Sequence, residues 1–395
     1  MVPKIRLIAL FFIAVLIGGC NFPTTEATLS IDLVATAVAG TLAAEAPPTA
    51  SPVPDLLPHP VYFLSESTGS AQVWRLERDA STQSQVTNEA KPVESFDVSR
   101  IDGSVAYVSN NQLYLVNSDG SNRRLLVDNA TANPEAENYF LVEHISDPVF
   151  APNGTSLVYA FNGLWLLDLS TNQAVQLLEN EIEEIDGSQI PVAVYSPIQW
   201  SSDSQKLLVA VGGFESSRLT VMDLSLGQSL TDLDTGSDVF CCHVSWARES
   251  NSVLVASPYI GLIEPGLWRY EAENGEQTEL LGVTDEGMFQ FAGWPLEVAD
   301  GSLRYFYTSS TEIPANDLPL FIMRSAADGV NGRVQMRPDS FSNIGEVLWA
   351  EDGSLALIVQ LTTAGDANGS VLLAFSDERQ LQILIPSAHS LHWGP

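Results

Sequence analysis

The sequence predicts an all-β fold: a seven-bladed β-propeller of four-stranded antiparallel blades, closed by its own C-terminal strand and preceded by an N-terminal signal and a flexible tether. Three observations carry this. Short β-rich runs bounded by turn residues recur in sets of four from residue 61 onward. One run in each set ends in an aromatic residue, at Phe96, Phe150, Trp200, Trp246, Trp294, Trp349 and Trp393, spaced 44 to 55 residues apart. The pattern opens on a second-strand run, VYFLS from Val61, and closes on a first-strand run, SLHW at 390–393.

The elements follow in order. Second strands begin near Val61, Ser104, Ser156, Lys206, Ser252, Ser302 and Ser354, with runs such as SVAYVS and SLVYAF. Third strands follow as QVWRLER, QLYLVNS, GLWLLDL, RLTVMDL, GLWRYEA, PLFIMRS and SVLLAFS. Fourth strands include RRLLV, AVQLL, TELLG, RVQMR and LQILI. Seven anchors and seven second strands make seven sheets only if SLHW completes the sheet that VYFLS begins. The last strand then pairs with the first blade, and no blade is left half-paired. One blade cannot bury both faces alone; in a ring each packs on two neighbours, with the aromatic anchors wedged between blades.

Residues 1–19 read as a lipoprotein signal peptide rather than as fold. Lys4 and Arg6 precede an apolar run at 7–19 that is short for a membrane span. Leu16-Ile17-Gly18-Gly19-Cys20 resembles the bacterial lipobox, which implies lipidation of Cys20 as the new N-terminus. Residues 20–60 then form a Thr/Ala/Pro-rich linker, with a short helix in its middle along Ile31, Val34, Val38 and Leu42. Residues 61–395 are the propeller.

The chain carries 49 acids against 17 bases, a net charge of −32, with lysine only at positions 4, 91 and 206. Such a surface repels phosphate backbones and anionic lipid, so nucleic acid is excluded and membrane contact runs through the lipid anchor only. Positive ligands, metal ions and basic proteins are not excluded by it. Cys241 and Cys242 are adjacent; in an exported chain they are either buried free thiols or a strained vicinal disulfide. No CxxC marks a metal pair. His144, His243 and His392 each fall in a first strand, beside the axis, and read as independent half-buried histidines or as three imidazoles facing one channel. There is no G-x-S-x-G nucleophile elbow, no D-x-D-x-D-G calcium loop and no Ser-x-Asp-x-Gly-x-x-Trp box. The Asp-Gly pairs at 102–103, 119–120, 300–301 and 352–353 sit where hairpins turn. No cofactor and no resident metal are expected.

The segments WSSDSQKLLVAVGGFESSRLTVMDLSLG (200–227), FAPNGTSLVYAFNGLWLLDLSTN (150–172) and IDGSVAYVSNNQLYLVNSDGSNRRLL (101–126) resemble the TolB-type, WD-repeat-like β-propeller repeat. The resemblance spans residues 61–395. It implies the propeller fold and says little of function, since such repeats occur in periplasmic and surface propellers that bind proteins or peptides and in the propeller half of prolyl-oligopeptidase-like peptidases. Two sets depart from the repeat: WARESNSVLVA lacks the Asp-Gly turn, and WPLEVADGSLRY carries an insertion.

Connectivity singles out one rim. In an antiparallel blade the one–two and three–four turns share one rim, and the remaining connections share the other. Here the first group is tight and the second is long, as at 128–146, 179–196, 234–242, 256–265 and 282–289. The expected binding face is therefore the long-loop rim, an acidic, aromatic-lined funnel. Its residues are Tyr139, Phe140, Glu183, Glu184, Asp186, Tyr195, Asp238, Phe240, Tyr259, Asp285 and Phe289. The expected function is a non-enzymatic, extracytoplasmic, monomeric binding module for a protein or peptide, held in the cell envelope. That places it on the outer face of the cytoplasmic membrane, or in the periplasm or outer membrane of a two-membrane bacterium. The competing expectation is an enzyme, or a carbohydrate or calcium binder, using the same acidic rim.

Overall fold

Alternation decides where each run goes. All five residues of the strand Val105–Ser109 are buried. Val105 and Tyr107 pack with Tyr62, Leu64 and Val73 of the preceding blade. Ala106 and Val108 pack with Phe150, Leu157 and Tyr159 of the following one. Successive side chains of a strand point to opposite faces, so a run apolar at every position needs a neighbour on each side. The computed structural model, which describes residues 55–214, 216–234, 242–258, 264–312 and 318–395, meets that need all the way round. Seven apolar clusters each join two consecutive blades, the last joining blade 7 to blade 1.

Each blade is a four-stranded antiparallel sheet read outward in chain order; blade 2, for example, runs Val93–Val98, Val105–Ser109, Gln112–Val116, Arg124–Asp128. The first strands of blades 3 to 7 are Ser146–Phe150, Ser188–Trp200, His243–Trp246, Phe289–Glu297 and Ile344–Trp349. Blade 1 takes its first strand from the far end of the chain. The strand Gln382–Trp393 pairs through its earlier residues with Gly369–Phe375 of blade 7 and through its later ones with Val61–Ser65, in the register Val61 opposite Trp393 and Tyr62 opposite His392. The expected closure and the count of seven blades are both observed.

The aromatic anchors do wedge between blades, and they also bond. The indole Nε1 of Trp200 donates to Val149 O (3.2 Å), that of Trp246 to Gln199 O (3.1 Å), that of Trp349 to Trp294 O (2.8 Å) and that of Trp393 to Trp349 O (2.7 Å). Each reaches a carbonyl on the first strand of the preceding blade. A buried indole N–H needs an acceptor, and the neighbouring strand supplies it.

The one–two turns repeat one geometry. Gly103 has φ +73°, and a Cβ there would lie 2.9 Å from the Tyr62 hydroxyl, so glycine is required. An acid one residue earlier accepts the N–H two residues on: Asp102 from Ser104 (3.0 Å), Asp300 from Ser302 (2.9 Å), Asp352 from Ser354 (2.9 Å). Where WARESNSVLVA lacks Asp-Gly, Ser250 takes the left-handed position at φ +59°. The insertion in WPLEVADGSLRY is a β-bulge between Gly293 and Leu296, with Trp294 at φ +47°.

Candidate functional site

The long-loop rim is built from segments that no blade needs. Between blades 2 and 3 the chain makes a single π-helical turn, Tyr139–Glu143. Between blades 3 and 4 it makes a hairpin, Glu181–Ile185 against Ser188–Pro191, continuous with the first strand of blade 4. Asp186 (φ +53°) and Gly187 (φ +84°) form its two-residue turn; both left-handed positions suit a right-twisted ribbon. The turn and the hairpin are joined where Asn180 donates from Nδ2 to Leu141 O (2.6 Å) and accepts at Oδ1 from Tyr195 N (3.0 Å).

The rim residues expected from sequence divide by burial. Phe140 is 73% exposed, whereas Tyr139 packs against it edge to face, ring centres 5.1 Å apart, with His144 at 5.4 Å. Tyr195 is buried in the contact between blades 3 and 4, with its hydroxyl 3.5 Å from Glu181 Oε1. Tyr195 therefore serves blade packing rather than an open funnel, and Tyr139 is covered within its own connection by Phe140 and His144. Glu183, Glu184 and Asp186 are exposed on the hairpin. Asp285 is exposed in a tight turn closed by Gly287 N to Thr284 O (2.8 Å), and Phe289 is half-buried against the contact of blades 6 and 7. No hydrogen bond or ring contact among the described residues joins Asp285 and Phe289 to the hairpin. Cys20, Asp238, Phe240 and Tyr259 lie outside the described residues. Cys242 is disulfide-bonded, with its partner outside the described residues, so it is not a free thiol.

Sequence reasoning missed that 181–191 is paired strand rather than loop. The signal was present: Asp186-Gly187 flanked by Ile182, Ile185 and Ile190 is a hairpin pattern. Phe214 was missed as well. It is 61% exposed, and its N–H donates to Pro191 O (2.8 Å), which sets it beside Val192, itself 41% exposed.

A cavity of 1090 Å³ follows the axis, lined by the first strands of all seven blades, including Asp97, Val149, Gln199, Val244, Leu296, Leu348 and His392. The three histidines expected beside the axis are separate: of them only His392 lines this cavity, and His144 ends the π-helical turn ahead of the strand Ser146–Phe150 rather than lying in a first strand. His144 Nε2 lies 3.0 Å from Glu94 Oε2, His392 Nδ1 lies 3.0 Å from Asp97 Oδ1, and His243 stacks on Trp294 at 3.8 Å. Among the described residues no three His, Cys, Asp or Glu side chains are placed to share a metal ion. Asp97 also accepts Phe150 N at 2.7 Å, tying blade 2 to blade 3. Glu346 accepts Leu391 N at 2.7 Å; burial pushes its carboxyl up, against the pull of that N–H and of His392. At the short-turn mouth Arg100 sits 3.9 Å from Glu351.

Ring, rim and axis define the class: a seven-bladed β-propeller with an acidic long-loop rim. No protein-family model matches the sequence, and no curated protein does. Solved structures do resemble it. TolB from Acinetobacter baumannii is 14% identical, over 92% of this chain and 71% of that one, with a TM-score of 0.45. Oligogalacturonate lyase from Vibrio parahaemolyticus is 12% identical, over 82% and 84%, with a TM-score of 0.53. A puromycin-hydrolyzing peptidase from Mycobacterium tuberculosis is 11% identical, over 85% of this chain but 53% of that one, with a TM-score of 0.52. This chain thus spans about half of that peptidase. At these identities the likeness is one of fold. No helix among the described residues is long and apolar enough to cross a membrane.

Proposed function

We propose that this chain is a non-enzymatic binding module of the bacterial envelope, tethered through Cys20, that takes a basic segment of a partner protein on its long-loop rim. One observation carries the reading. Glu181, Glu183 and Glu184 stand exposed on the hairpin with no ion-pair partner among the described residues, next to exposed Phe140, Val192 and Phe214. Uncompensated charge of one sign beside exposed apolar side chains favours a partner that is cationic and amphipathic.

The test is affinity capture from detergent-solubilised native membranes, with wild-type protein and with Glu181→Lys/Glu183→Lys/Glu184→Lys. A basic protein retained by the wild type, lost in the triple variant and released by about 0.5 M salt supports the reading. Capture that ignores both salt and the triple variant rejects it. Turnover of a glycan or ester that disappears when Glu183, Glu184 and Asp186 become alanine replaces it with an enzyme.

A further inference from the structure

The inference that follows rests on the rim's binding a basic protein segment and states how that segment is held. We propose that the outer edge of the strand Glu181–Ile185 is a docking edge, on which an extended basic segment of the partner adds as a further β-strand.

Blade 4 is complete without this strand. Ser188–Trp200, Lys206–Gly213, Ser216–Asp223 and Ser229–Leu233 supply its four, and Glu181–Ile185 stands as a fifth at the end of the sheet. It pairs with Ser188–Ala193 on one side. Among the described residues no strand pairs with its other side. Its outward N–H and C=O groups have no backbone partner among the described residues, and a row of unpaired backbone groups is a template for another strand. The hairpin buries little: in Glu181–Ile185 every residue but Ile182 is exposed, Ile185 to 51%. A ribbon this exposed adds scant core stability in return for the ordering of its backbone.

Charge alone as protection of the edge does not account for the composition. The outermost strands of the blades are edges too, and they read QSQ, RLLVD, QAVQLLE, SLTDL, QTELL and VQMRPDSF, none with more than one acid. Glu181–Ile185 reads EIEEI. Glu181, Glu183 and Ile185 share one face, Ile182 and Glu184 the other. The residues opposite them, Ala193, Pro191, Ile190, Gln189 and Ser188, offer no positive charge. An added strand with Lys or Arg at alternate positions would set a cation beside each carboxylate, and cross-strand pairs of opposite charge are stabilising. A second copy of this chain would set glutamate beside glutamate. The edge is therefore open to a basic strand and closed to its own kind.

The experiment uses two labelled ten-residue peptides of alternating arginine and valine. One is unmodified; the other is N-methylated at two consecutive central amides, which blocks hydrogen bonding on both strand edges and leaves every charge in place. Fluorescence anisotropy with the whole protein is expected to show the methylated peptide binding about tenfold more weakly at equal salt, a factor equal to about 1.4 kcal/mol. Binding of the unmodified peptide should slow amide exchange at Glu181–Ile185, and Glu181→Lys/Glu183→Lys should abolish it without lowering the Tm. Equal binding of both peptides with no added amide protection overturns the docking edge and leaves the acidic-rim reading standing. So does failure of both peptides to bind while salt-sensitive, triple-variant-sensitive capture of a native basic protein persists. Concentration-dependent dimers that protect the same amides overturn the choice of occupant. Failure of both the peptides and the capture removes the two readings together.

Discussion

The indole of Trp393 and the carbonyl of Trp349 meet at 2.7 Å across the seam between the last blade and the first. Trp393 is 1% exposed, and the same residue lies opposite Val61 in the closing ladder. One side chain thus serves three jobs at the closure: hydrogen bond, packing and register.

Trp393→Phe keeps most of the volume and orphans the Trp349 carbonyl, so it should cost about 1–2 kcal/mol. Trp393→Ala adds a cavity and should cost about 3–5 kcal/mol. Urea unfolding of the two variants measures both. A chain ending at Ala388 lacks the first strand of blade 1 and should expose the edge Val61–Ser65 and aggregate, read by light scattering.

Arg337 is 3% exposed on the last strand of blade 6. It holds Asp339 Oδ2 through Nη2 at 2.6 Å and donates to Phe375 O (2.8 Å) and Arg379 O (3.2 Å) of blade 7. Arg337→Met leaves those acceptors without their donor. Because Asp339 stays partly hydrated, the expected loss is about 2–3 kcal/mol rather than the full value for a buried pair. Arg337→Lys should recover less than half, since one ammonium cannot span the fork. Denaturant midpoints at constant m-value decide it.

Asp168 in a three–four turn accepts Ser170 N (2.9 Å), Ser170 Oγ (2.6 Å) and Thr171 N (2.8 Å) at one carboxylate oxygen. These bonds pull its carboxyl down to about 2 from 3.8, and the Thr82 and Ser81 contacts do the same for Asp79. The folded value lies below the unfolded one, so the stabilisation is present above about pH 4 and lost as pH falls toward 2. Asp168→Ala should lower the Tm at pH 7 and leave it unchanged near pH 2. Calorimetry at the two pH values is the check.

His243 lies against Trp294 at 20° between ring planes, and burial pushes its imidazole down to about 4. The fold favours the neutral ring. Its contribution is complete above pH 6.5 and lost as pH falls from 6.5 toward 4, by at most about 3 kcal/mol. His243→Phe keeps the stack and should flatten stability against pH across that window, measured by urea unfolding from pH 7 to 4.5.

Most of the ring was legible because a propeller writes its period into the chain. Aromatic anchors, doubly apolar second strands and Asp-Gly turns each have a physical cause that acts locally, so Phe96, Val105–Ser109 and Asp102–Gly103 announce their places. The rim was less legible because a connection obeys no such period. Tyr139 and Tyr195 look like lining residues by position, yet the apolar gap between blades 3 and 4 takes Tyr195, and Tyr139 turns against Phe140 and His144. Glu346, by contrast, gave no local sign. What makes it unusual is Leu391 N, 45 residues away and brought alongside only when the ring closes.

The pairing of Val61 with Trp393, and the bond from Gly394 N to Pro60 O at 2.8 Å, fix the side from which the chain arrives. Both lie on the short-turn side of the ring, while the EIEEI hairpin stands on the other. A strand laid on the hairpin would therefore leave the seam of the ring untouched, and loss of one would not by itself undo the other.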